Sequence, residues 1–493
     1  MIRSIKAGKR QHGGYSFSVF SDDELYDIHL ATLEVLERTG AFFDSPEALE
    51  VLYDGGATID KKNRIARIPP HLVDDAVRSS PPKLVLGGRH PDRDVVLENG
   101  RIAFSNFGGA VNLVDPYTGE VRRATKADLA ASTLLVDCLE DLVLYKGALN
   151  ASDVPQEVLR LNHAEAMLSN TTKPIYVGSG NLAQIRKILD MAAAVAGGKD
   201  RLKERPILIF SACPVSPLRL IEKACETIME CARSRIPVCI TSMAMARATA
   251  PVTLAGTLVI HNAQVLAAVV LHQLTHKGSP ILYGSVTTSM DLRFSIAPIG
   301  GPEISKISAA VAQLARYYQL PSNVAGGSDS KVSDGQAAHE STLTAMLPAL
   351  AGANMISGAG ILEMGITHSF AQLVMDCEFV RMVRHVVEGI PVNDETLAVD
   401  VIHETGAFGD FLTHDHTLSH MRSSQIHSEL IDRRMREDWE KTGGNHIYQR
   451  AQEKARHILE THKPDPLPAG VRETLRSMVK EAEEEFGVTG KKG

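Results

Sequence analysis

The chain has 493 residues and a formal net charge of −7, with 44% hydrophobic and 23% charged residues. This composition supports a large hydrophobic core and excludes an intrinsically disordered chain. Acidic and basic residues are interspersed and form no basic face, so we expect no nucleic-acid partner.

Residues near the N-terminus predict a small α+β cap. Ser21 and Glu24 match a capping box that opens a helix, and Gly40 supplies the C-terminal stop of that helix. Short strands are expected between residues 57 and 97, interrupted by a helix over residues 70–78.

The middle of the chain alternates eight short, β-rich apolar segments with helical stretches. Each segment ends in small or polar residues and is followed by a candidate helix. Eight such units predict an α/β fold of the (β/α)8 TIM-barrel type, whose chemistry takes place where strand C-termini meet their loops. The predicted strands are residues 102–106, 142–147, 174–178, 206–211, 237–242, 280–285, 322–326 and 354–358.

Helix signals follow several of these strands. Thr125 and Asp128 cap a helix after the first strand, Pro302 begins another, and Asp334 caps the helix that runs to Leu350.

The alternation stops after Pro391. A polar, histidine-rich loop follows, and then helices are predicted at residues 426–440, 447–461 and 471–486. We therefore predict an N-terminal α+β cap (1–100), a (β/α)8 barrel (101–390) and a C-terminal helical extension (391–493).

Several features predict a cytoplasmic protein. The basic residues 1–10 are not followed by the apolar stretch of a secretory signal, and the apolar stretch 252–271 is broken by polar side chains. No two of the six cysteines form a C-x-x-C pair, which favours a reducing compartment. We expect no contact with a membrane.

The glycine-rich loop 326–331 follows the seventh predicted strand. Exposed backbone amides in this position form phosphate sites in many barrels, and Lys331 suits a Schiff-base nucleophile if it points into an apolar mouth. A glycine-rich turn that caps the next helix is the alternative.

The loop 358–365 follows the eighth predicted strand. Its glycines allow a ligand to approach the backbone closely, and Glu363 places a lone carboxylate at the barrel rim. A carboxylate near aromatic faces suits a cationic ammonium group. The alternative is a surface glutamate in a flexible loop.

The segment 406–420 contains His414, His416 and His420. Three histidines at this spacing suit a transition metal, but the segment lies outside the βα alternation. We predict no metal site. Contacts to a ligand or partner, or ordinary structural histidines, are the alternatives.

The remaining strand ends carry small polar side chains and few acid or base groups. Hydrolysis and aldol chemistry usually require several carboxylates, histidines or lysines converging at the mouth. The strand-end residues are Asn106, Phe107, Ser179, Ser211, Thr241, Ser242, Ser285 and Thr287.

Three motifs together resemble the trimethylamine methyltransferase family over nearly the whole chain. They are the segment 406–420 with its Asp-His-Thr-Leu-x-His core at 415–420, the Gly-Ser-Asp-Ser-Lys run at 327–331, and Asp334-x-Gln336. The family consists of barrels that pass a methyl group from an amine to the cobalt of a separate corrinoid protein. Methanogen members acting on trimethylamine carry pyrrolysine, expected here near Asp334 and Gly335, whereas this chain has standard residues throughout.

The resemblance therefore implies the branch without pyrrolysine, which acts on quaternary amines such as glycine betaine. A quaternary ammonium leaves as a neutral tertiary amine, so no proton must be delivered. The enzyme then has to position one methyl carbon and exclude water, and good orientation recovers roughly 7 to 11 kcal/mol of barrier. A mouth poor in acid and base groups suits this mechanism.

We therefore predict a glycine betaine:corrinoid methyltransferase that binds no cofactor tightly and receives cobalamin on a partner corrinoid protein. We also expect a homo-oligomer. The predicted catalytic residues are Glu363, Asp329 and His414. The predicted substrate-binding residues are the aromatic Phe107, Tyr283, Phe370, Phe408 and Phe411 for the cation, and Asn106, Ser328 and Lys331 for a carboxylate. The predicted cobalamin contacts are Gly327, His416 and His420.

Two alternatives belong to other functional classes. One is a sugar-phosphate or aldolase-like barrel enzyme that uses the loop 326–331 and Lys331. The other is a betaine sensor that binds the substrate without demethylating it.

Overall fold

The computed structural model describes residues 17–488, so the basic residues 1–10 lie outside it. The N-terminal part forms the predicted mixture of short strands and helices. Its helices are α1 (Asp22–Glu34), α2 (Pro46–Asp54) and α3 (Pro70–Ser79), and its strands are β1 (Ala41–Phe43), β2 (Thr58–Asp60), β3 (Ile65–Arg67), β4 (Leu84–Leu86) and β5 (Val95–Leu97).

Helix α1 begins at the predicted capping box. The Ser21 side chain accepts a hydrogen bond from the backbone N–H of Glu24, and the Glu24 carboxylate accepts one from Ser21. The helix continues as a π-helical segment, Val35–Thr39, and stops at Gly40, whose φ of 75° lies in the left-handed region that glycine tolerates.

Eight parallel strands then form a barrel, as the sequence predicts. They are the first, fourth, fifth, sixth, eighth, tenth, twelfth and thirteenth of the fifteen strands in this region. The strands are β6 (Ala103–Asn106), β7 (Asn112–Val114), β8 (Val121–Arg123), β9 (Tyr145–Lys146), β10 (Ile175–Val177), β11 (Leu208–Ala212), β12 (Arg219–Leu220), β13 (Val238–Ser242), β14 (Met245–Ala246), β15 (Ile281–Ser285), β16 (Thr288–Ser289), β17 (Ser322–Ala325), β18 (Met355–Ala359), β19 (Ile361–Leu362) and β20 (Thr367–Ser369).

The barrel order is β6, β9, β10, β11, β13, β15, β17, β18 and back to β6. The closing pair is parallel, with Ser105 of β6 opposite Ser357 of β18. The remaining seam, between β6 and β9, is made by a parallel bridge between Ser105 and Leu144. All eight predicted barrel strands are confirmed.

Helices surround the barrel on its outer face. They are α4 (Lys126–Cys138), α5 (Leu159–Asn170), α6 (Leu182–Ala196), α7 (Lys199–Glu204), α8 (Glu222–Ser234), α9 (Leu254–Thr275), α10 (Pro302–Tyr317), α11 (Gly335–Leu350) and α12 (Phe370–Val387). The predicted caps are confirmed: Thr125 and Asp128 form a capping box for α4, Pro302 begins α10, and the Asp334 side chain caps α11.

Helix α9 is long and apolar enough to cross a membrane by length and composition, but 72% of its apolar window is buried within the protein. Its polar side chains also find internal partners. Asn262 donates to the Tyr318 hydroxyl at 2.8 Å, and Gln264 accepts from Ser242 at 3.1 Å. The apolar surface of this helix therefore packs into the barrel's outer layer.

A small sheet that the sequence analysis did not predict covers part of the barrel's C-terminal end. Its strand order is β19, β20, β7, β8. These strands have only two or three residues each, and β8 is exposed throughout, so they lack the apolar alternation that identifies a strand.

The C-terminal part is helical. Its helices are α13 (Asp394–Leu397), α14 (Val399–Thr405), α15 (Asp415–His420), α16 (Arg436–Lys441), α17 (Ile447–Thr461) and α18 (Val471–Glu485). Helices α17 and α18 match their predictions and pack against the barrel helices. The prediction of a helix over 426–440 is wrong for most of its length.

Side-chain bonding explains that difference. The Ser428 hydroxyl donates to Glu378 at 2.6 Å and accepts from the backbone N–H of Ile431 at 2.8 Å. A serine that bonds local backbone in this way competes with helix formation. One hydrophobic core cluster runs through all three parts of the chain, so the predicted divisions at residues 100 and 390 stay a prediction.

Candidate functional site at the barrel mouth

The N-terminal end of the barrel is closed by the antiparallel pair β4 and β5. Leu84, Leu86, Val95 and Leu97 of this pair pack against the first inward-facing side chains of the barrel strands, among them Leu144, Ile209, Leu282 and Met355. An ion pair between Arg205 and Asp94 and a bond from Gly87 N–H to the Pro206 carbonyl hold the pair in place. The barrel lumen therefore opens toward the strand C-termini.

Above this apolar layer, the inward-facing side chains become polar. Side chains alternate between the two faces of a strand, so Ser105 and Ser357 follow Ala103 and Met355 into the lumen. The Ser357 hydroxyl lies 2.9 Å from that of Ser105 and donates to Asn323 Oδ1 at 2.9 Å. The amide nitrogen of buried Asn323 has no hydrogen-bond partner among residues 17–488.

Lys146 of β9 extends into this lumen. Its Nζ lies 4.5 Å from the centre of the Tyr176 ring, and burial lowers the pKa of the ammonium group. Burial also raises the pKa of Tyr176 well above its ordinary value, and the Tyr176 hydroxyl lies 3.2 Å from Thr241 Oγ1. Within the described chain, Lys146 Nζ makes no ion pair and donates no hydrogen bond.

Arg160 lies in the first turn of α5 and reaches over the end of β10. A Cβ atom on Gly178 would lie 3.0 Å from the guanidinium carbon of Arg160, so this glycine leaves the space that the guanidinium uses. Burial lowers the pKa of the Arg160 guanidinium. Arg160 has no acidic partner among the residues that the structure describes.

Carboxylates lie on the loops after the seventh and eighth strands. Asp329 Oδ1 accepts from the Ile299 N–H at 2.7 Å, and burial raises the pKa of Asp329. Glu340 Oε2 accepts from the N–H of Asp329 at 2.7 Å. Glu363 accepts from Thr367 Oγ1 at 2.6 Å.

Most backbone N–H groups of the predicted anion nest in loop 326–331 already donate hydrogen bonds within the protein. The N–H of Asp329 bonds Glu340, and that of Ser330 bonds the Ser328 hydroxyl at 3.0 Å. The loop is thus an internally bonded turn that displays acidic groups. Its Gly327 has a φ of 150°, and a Cβ there would lie 2.4 Å from Ile361 Cγ2, so the close approach requires glycine.

The structure brings several predicted residues together at the rim. The backbone N–H of Glu363 donates to the Ser330 carbonyl at 2.8 Å, which joins the two loops. A Cβ on Gly365 would lie 3.2 Å from Phe107 Cε1, so the Phe107 ring packs against the loop that carries Glu363. Phe107, Gly327, Ser328, Asp329 and Glu363 therefore share this part of the mouth.

Other predicted residues are placed elsewhere. Tyr283 is fully buried and donates to Asn262 Oδ1 at 2.7 Å on the outer side of the barrel, so the prediction that it lines the mouth is wrong. Phe370 is also buried in the core. Lys331 is exposed and donates to the Asp329 carbonyl at 2.9 Å, outside any apolar setting.

Asn106 belongs to the barrel wall. Its Oδ1 accepts from the Lys146 N–H at 2.9 Å, and its Nδ2 donates to the carbonyls of Phe107 and Lys146. These bonds reinforce the seam between β6 and β9 and use both hydrogens of the amide nitrogen, so the prediction that Asn106 binds a carboxylate is wrong.

The histidines of segment 406–420 contact one another and acidic residues of the neighbouring helices α13 and α14. His414 Nε2 lies 3.6 Å from Glu404, His420 Nε2 lies 3.3 Å from Glu395, and the rings of His416 and His420 are 4.4 Å apart. Among residues 17–488, no group of three or more His, Cys, Asp and Glu side chains is arranged to hold a metal. Phe408 is fully exposed and Phe411 is 44% exposed. The roles predicted for these five residues stay predictions.

Lys146 and Arg160 were not among the residues predicted from the sequence. Lys146 had a readable signal, because a charged residue near the end of an otherwise apolar barrel strand points to the mouth. Arg160 had none, since it lies on a helix and enters the mouth through packing alone.

Exposed apolar side chains surround the mouth. They lie in the loops after the fourth to eighth barrel strands, where a monomer would normally carry polar residues. These side chains, which we call the apolar rim, are Val215, Met243, Leu292, Phe294, Val332 and Ile366.

Comparison with known proteins gives one consistent result. A family model described as trimethylamine methyltransferase (MTTB) matches residues 6–487. The chain is 50% identical over 485 residues to the trimethylamine methyltransferase MttB of Desulfitobacterium hafniense (strain DSM 10664 / DCB-2), with 98% of each chain covered. It is 31% identical over 474 residues to the glycine betaine methyltransferase of Desulfitobacterium hafniense (strain Y51), with 96% of this chain and 98% of that protein covered.

A solved structure supports the fold. The monomethylamine methyltransferase MtmB of Methanosarcina barkeri superposes with a TM-score of 0.52 at 13% identity, covering 89% of this chain and 93% of that one. At this identity the likeness concerns the barrel architecture alone.

Proposed function

Because the chain belongs to the trimethylamine methyltransferase family, we propose that it moves a methyl group from a quaternary amine to the Co(I) of a separate corrinoid protein. Glycine betaine is the favoured donor and dimethylglycine the product. The observation that carries this proposal is the acidic and aromatic part of the rim. Phe107, Asp329 and Glu363 lie there together, and an aromatic face with nearby carboxylates suits a permanently charged ammonium group.

The reaction balances without a proton. The bond between nitrogen and one methyl carbon breaks, its electron pair stays on nitrogen, and the methyl carbon bonds the nucleophilic Co(I). The product amine is neutral, so the enzyme needs to orient the substrate and exclude water. The lumen suits this task because these groups are not poised to deliver a proton. Tyr176 stays a neutral phenol, and the hydroxyls of Ser105 and Ser357 form a hydrogen bond with each other.

The family includes relatives named for two different substrates, trimethylamine and glycine betaine. We favour a quaternary amine because the chain has no pyrrolysine and because the departing amine requires no proton donor. In this proposal Asp329 and Glu363 hold the ammonium group. The aldolase-like alternative is not supported, since Lys331 is exposed and the family is a methyltransferase family.

The apolar rim supports a protein partner at the mouth. Phe294 is 68% exposed and Leu292 is 63% exposed, both in the loop after the sixth barrel strand. Exposed aromatic and aliphatic groups around an open mouth are typical of protein interfaces. A corrinoid protein that covers this rim would bring its cobalt over the lumen, and cobalamin would be bound by that partner.

The test is a screen of methyl donors. The purified chain, a reduced corrinoid protein and one amine at a time are incubated without oxygen, and the demethylated product is measured by mass spectrometry. We expect dimethylglycine from glycine betaine and no dimethylamine from trimethylamine. Activity with trimethylamine alone would contradict the leaving-group argument.

Binding of glycine betaine without demethylation, under conditions where a known methyltransferase is active, would favour the sensor instead. The matched control omits the chain, because reduced corrinoids react slowly with some alkyl donors.

A further inference from the structure

We propose that Lys146 and Arg160 form a subsite for the carboxylate of a zwitterionic amine, so that this enzyme selects donors with a carboxylate next to the quaternary nitrogen. The inference rests on the proposed methyl transfer and adds the part of the mouth that decides which amine is accepted.

Other enclosed cations of this protein have partners. The Lys173 ammonium donates to the carbonyls of Val136, Leu139 and Leu142 at 2.6 to 2.7 Å, at the C-terminal end of α4. Arg205 pairs with Asp94. Lys146 and Arg160 differ because no described carboxylate or carbonyl accepts from either of them.

The two cations converge on one place. Lys146 Nζ lies 4.5 Å from the centre of the ring of Tyr176 in β10, and the Arg160 guanidinium lies beside Gly178 at the end of the same strand. Space is kept free beside each of them by a glycine. A Cβ on Gly108 would lie 3.0 Å from Lys146 Cγ, and one on Gly178 would lie 3.0 Å from the Arg160 guanidinium carbon.

Two enclosed cations without a counter-charge are unfavourable. Burial disfavours each charged form, and the two like charges repel each other. A bound anion removes both costs, and a carboxylate matches the geometry of a guanidinium and an ammonium together. The neighbouring groups also fit an anion, because Tyr176 and Thr241 add hydroxyls and the Asn323 amide nitrogen is an unused donor.

Charge is distributed unevenly around the mouth. The cations belong to the second strand and the helix after it, whereas Asp329 and Glu363 belong to the loops after the seventh and eighth strands. A zwitterion placed in this field is oriented, with its carboxylate toward Lys146 deep in the lumen and its ammonium toward Phe107 at the rim. In that orientation an N-methyl group faces the open end, where the corrinoid protein is proposed to bind.

The test compares two quaternary amines that differ in the carboxylate. Binding of glycine betaine and of tetramethylammonium is measured by isothermal titration calorimetry for the wild type, Lys146→Met and Arg160→Met. Each variant is expected to lose roughly 10- to 150-fold in affinity for glycine betaine, the range for one charge-assisted hydrogen bond, and to bind tetramethylammonium as well as or better than the wild type. Lys277→Met, at an exposed turn, is the matched control and should change neither.

The outcomes are distinct. Unchanged glycine betaine binding, or an equal loss for both amines, would overturn the subsite. If Lys146→Met does not fold, Arg160→Met still tests the subsite by removing a charge, and Lys146→Arg, which retains the charge, is expected to keep most of the affinity for glycine betaine. Wild-type binding of glycine betaine that depends on Lys146 but leads to no methyl transfer would support the subsite and defeat the proposed function.

The pH dependence of glycine betaine binding provides a second test. Because burial lowers the pKa of Lys146, its positive charge is lost at a lower pH than that of an ordinary lysine. Affinity for glycine betaine should therefore begin to fall at a pH below the pKa of an ordinary lysine. The Lys146→Met variant should lack this part of the decline. A pH profile that is the same in the wild type and Lys146→Met would count against the subsite.

Discussion

Asp376 in α12 is a buried carboxyl group beside a cavity of about 20 Å³ between the barrel wall and helices α11 and α12. Its Oδ2 accepts from the Gly360 N–H at 2.8 Å and its Oδ1 from Gln372 Nε2 at 2.8 Å. These bonds favour the charged form, but burial outweighs them and raises the pKa of Asp376 to about 7. The group is therefore protonated in the folded protein under conditions where an exposed aspartate is charged.

The sign of the resulting pH dependence follows from linkage. The folded state holds a proton that the unfolded state has released, so the contribution of Asp376 is fully present below about pH 4 and is lost as the pH rises through about 7. We expect Asp376→Asn to gain stability relative to the wild type between pH 5 and pH 8, by about 3 kcal/mol. Urea unfolding of both proteins at the two pH values measures the difference.

Asp60→Asn in the exposed β2–β3 turn is the control for general effects of removing a carboxylate. A stability difference between Asp376→Asn and wild type that does not change with pH would show that Asp376 is charged in the folded protein.

At the scale of elements, the seam between β6 and β9 depends on one side chain. Asn106 bonds the backbone N–H and carbonyl of Lys146 across a pair of strands that otherwise share a single bridge. Asn106→Ala leaves buried backbone groups without partners, which costs about 1 to 3 kcal/mol. We expect this loss in the free energy of unfolding, measured with urea.

The same variant should also weaken glycine betaine binding, because Lys146 loses the bonds that hold its backbone. Asn63→Ala, in an exposed turn, is the control and should affect neither quantity. Normal stability of Asn106→Ala would mean that strand pairing alone closes the barrel.

The apolar rim gives a second prediction at this scale. Replacing Leu292 and Phe294 with serine removes exposed apolar surface from one loop and leaves the lumen unchanged. If this loop contacts the corrinoid protein, the KM for that protein should rise roughly 30-fold, the effect of losing one interface hot spot. Steady-state methyl transfer at varied corrinoid-protein concentration measures the KM.

Glycine betaine binding should be the same in this double variant as in the wild type. Tyr53→Ser, an exposed aromatic position in α2 of the N-terminal part, is the matched control. An unchanged KM for the corrinoid protein in the double variant would place the docking surface elsewhere.

At the scale of the whole molecule, buried histidines make the fold sensitive to acid. Burial lowers the pKa of His163, His261, His272 and His368 to about 3 each. In the unfolded chain these groups bind protons below about pH 6.5. Their neutral forms therefore contribute stability that is fully present above pH 6.5 and is lost as the pH falls toward 3.

We expect the free energy of unfolding to fall steeply between pH 6.5 and pH 5, by about 1.4 kcal/mol per pH unit for each of these histidines. His272→Gln should be less stable than wild type at pH 7.5 but should show a shallower decline. Chemical unfolding at both ends of this pH range measures the slopes, with exposed His339→Gln as the control. Equal slopes for His272→Gln and wild type would mean that His272 is protonated in the folded protein.

The sequence predicts some secondary-structure elements of this protein and fails for others. The barrel strands and the helices that begin at Thr125, Pro302 and Asp334 follow from signals that lie within a few residues of each other. The helix over residues 426–440 fails because Ser428 bonds Glu378, a partner fifty positions away that no local pattern reveals.

The sequence by itself therefore determined the eightfold barrel, most of its helix boundaries and the family. It also placed Phe107, Ser328, Asp329 and Glu363 near strand ends, where the barrel brings them together. These features depend on patterns among residues close together in the sequence. The same patterns accompany the barrel fold wherever it occurs.

Only the tertiary structure decided which strand-end side chains face the lumen and which lack a partner. Tyr283 faces outward because neighbouring residues on a strand point to opposite sides of the barrel wall, and a shift of one residue exchanges them. Lys146 and Arg160 lie beside the same strand, β10, because β9 and α5 both pack against it, although no spacing in the chain relates the two residues. An unpaired charge is defined by what surrounds it, and those surroundings come from residues far apart in the sequence.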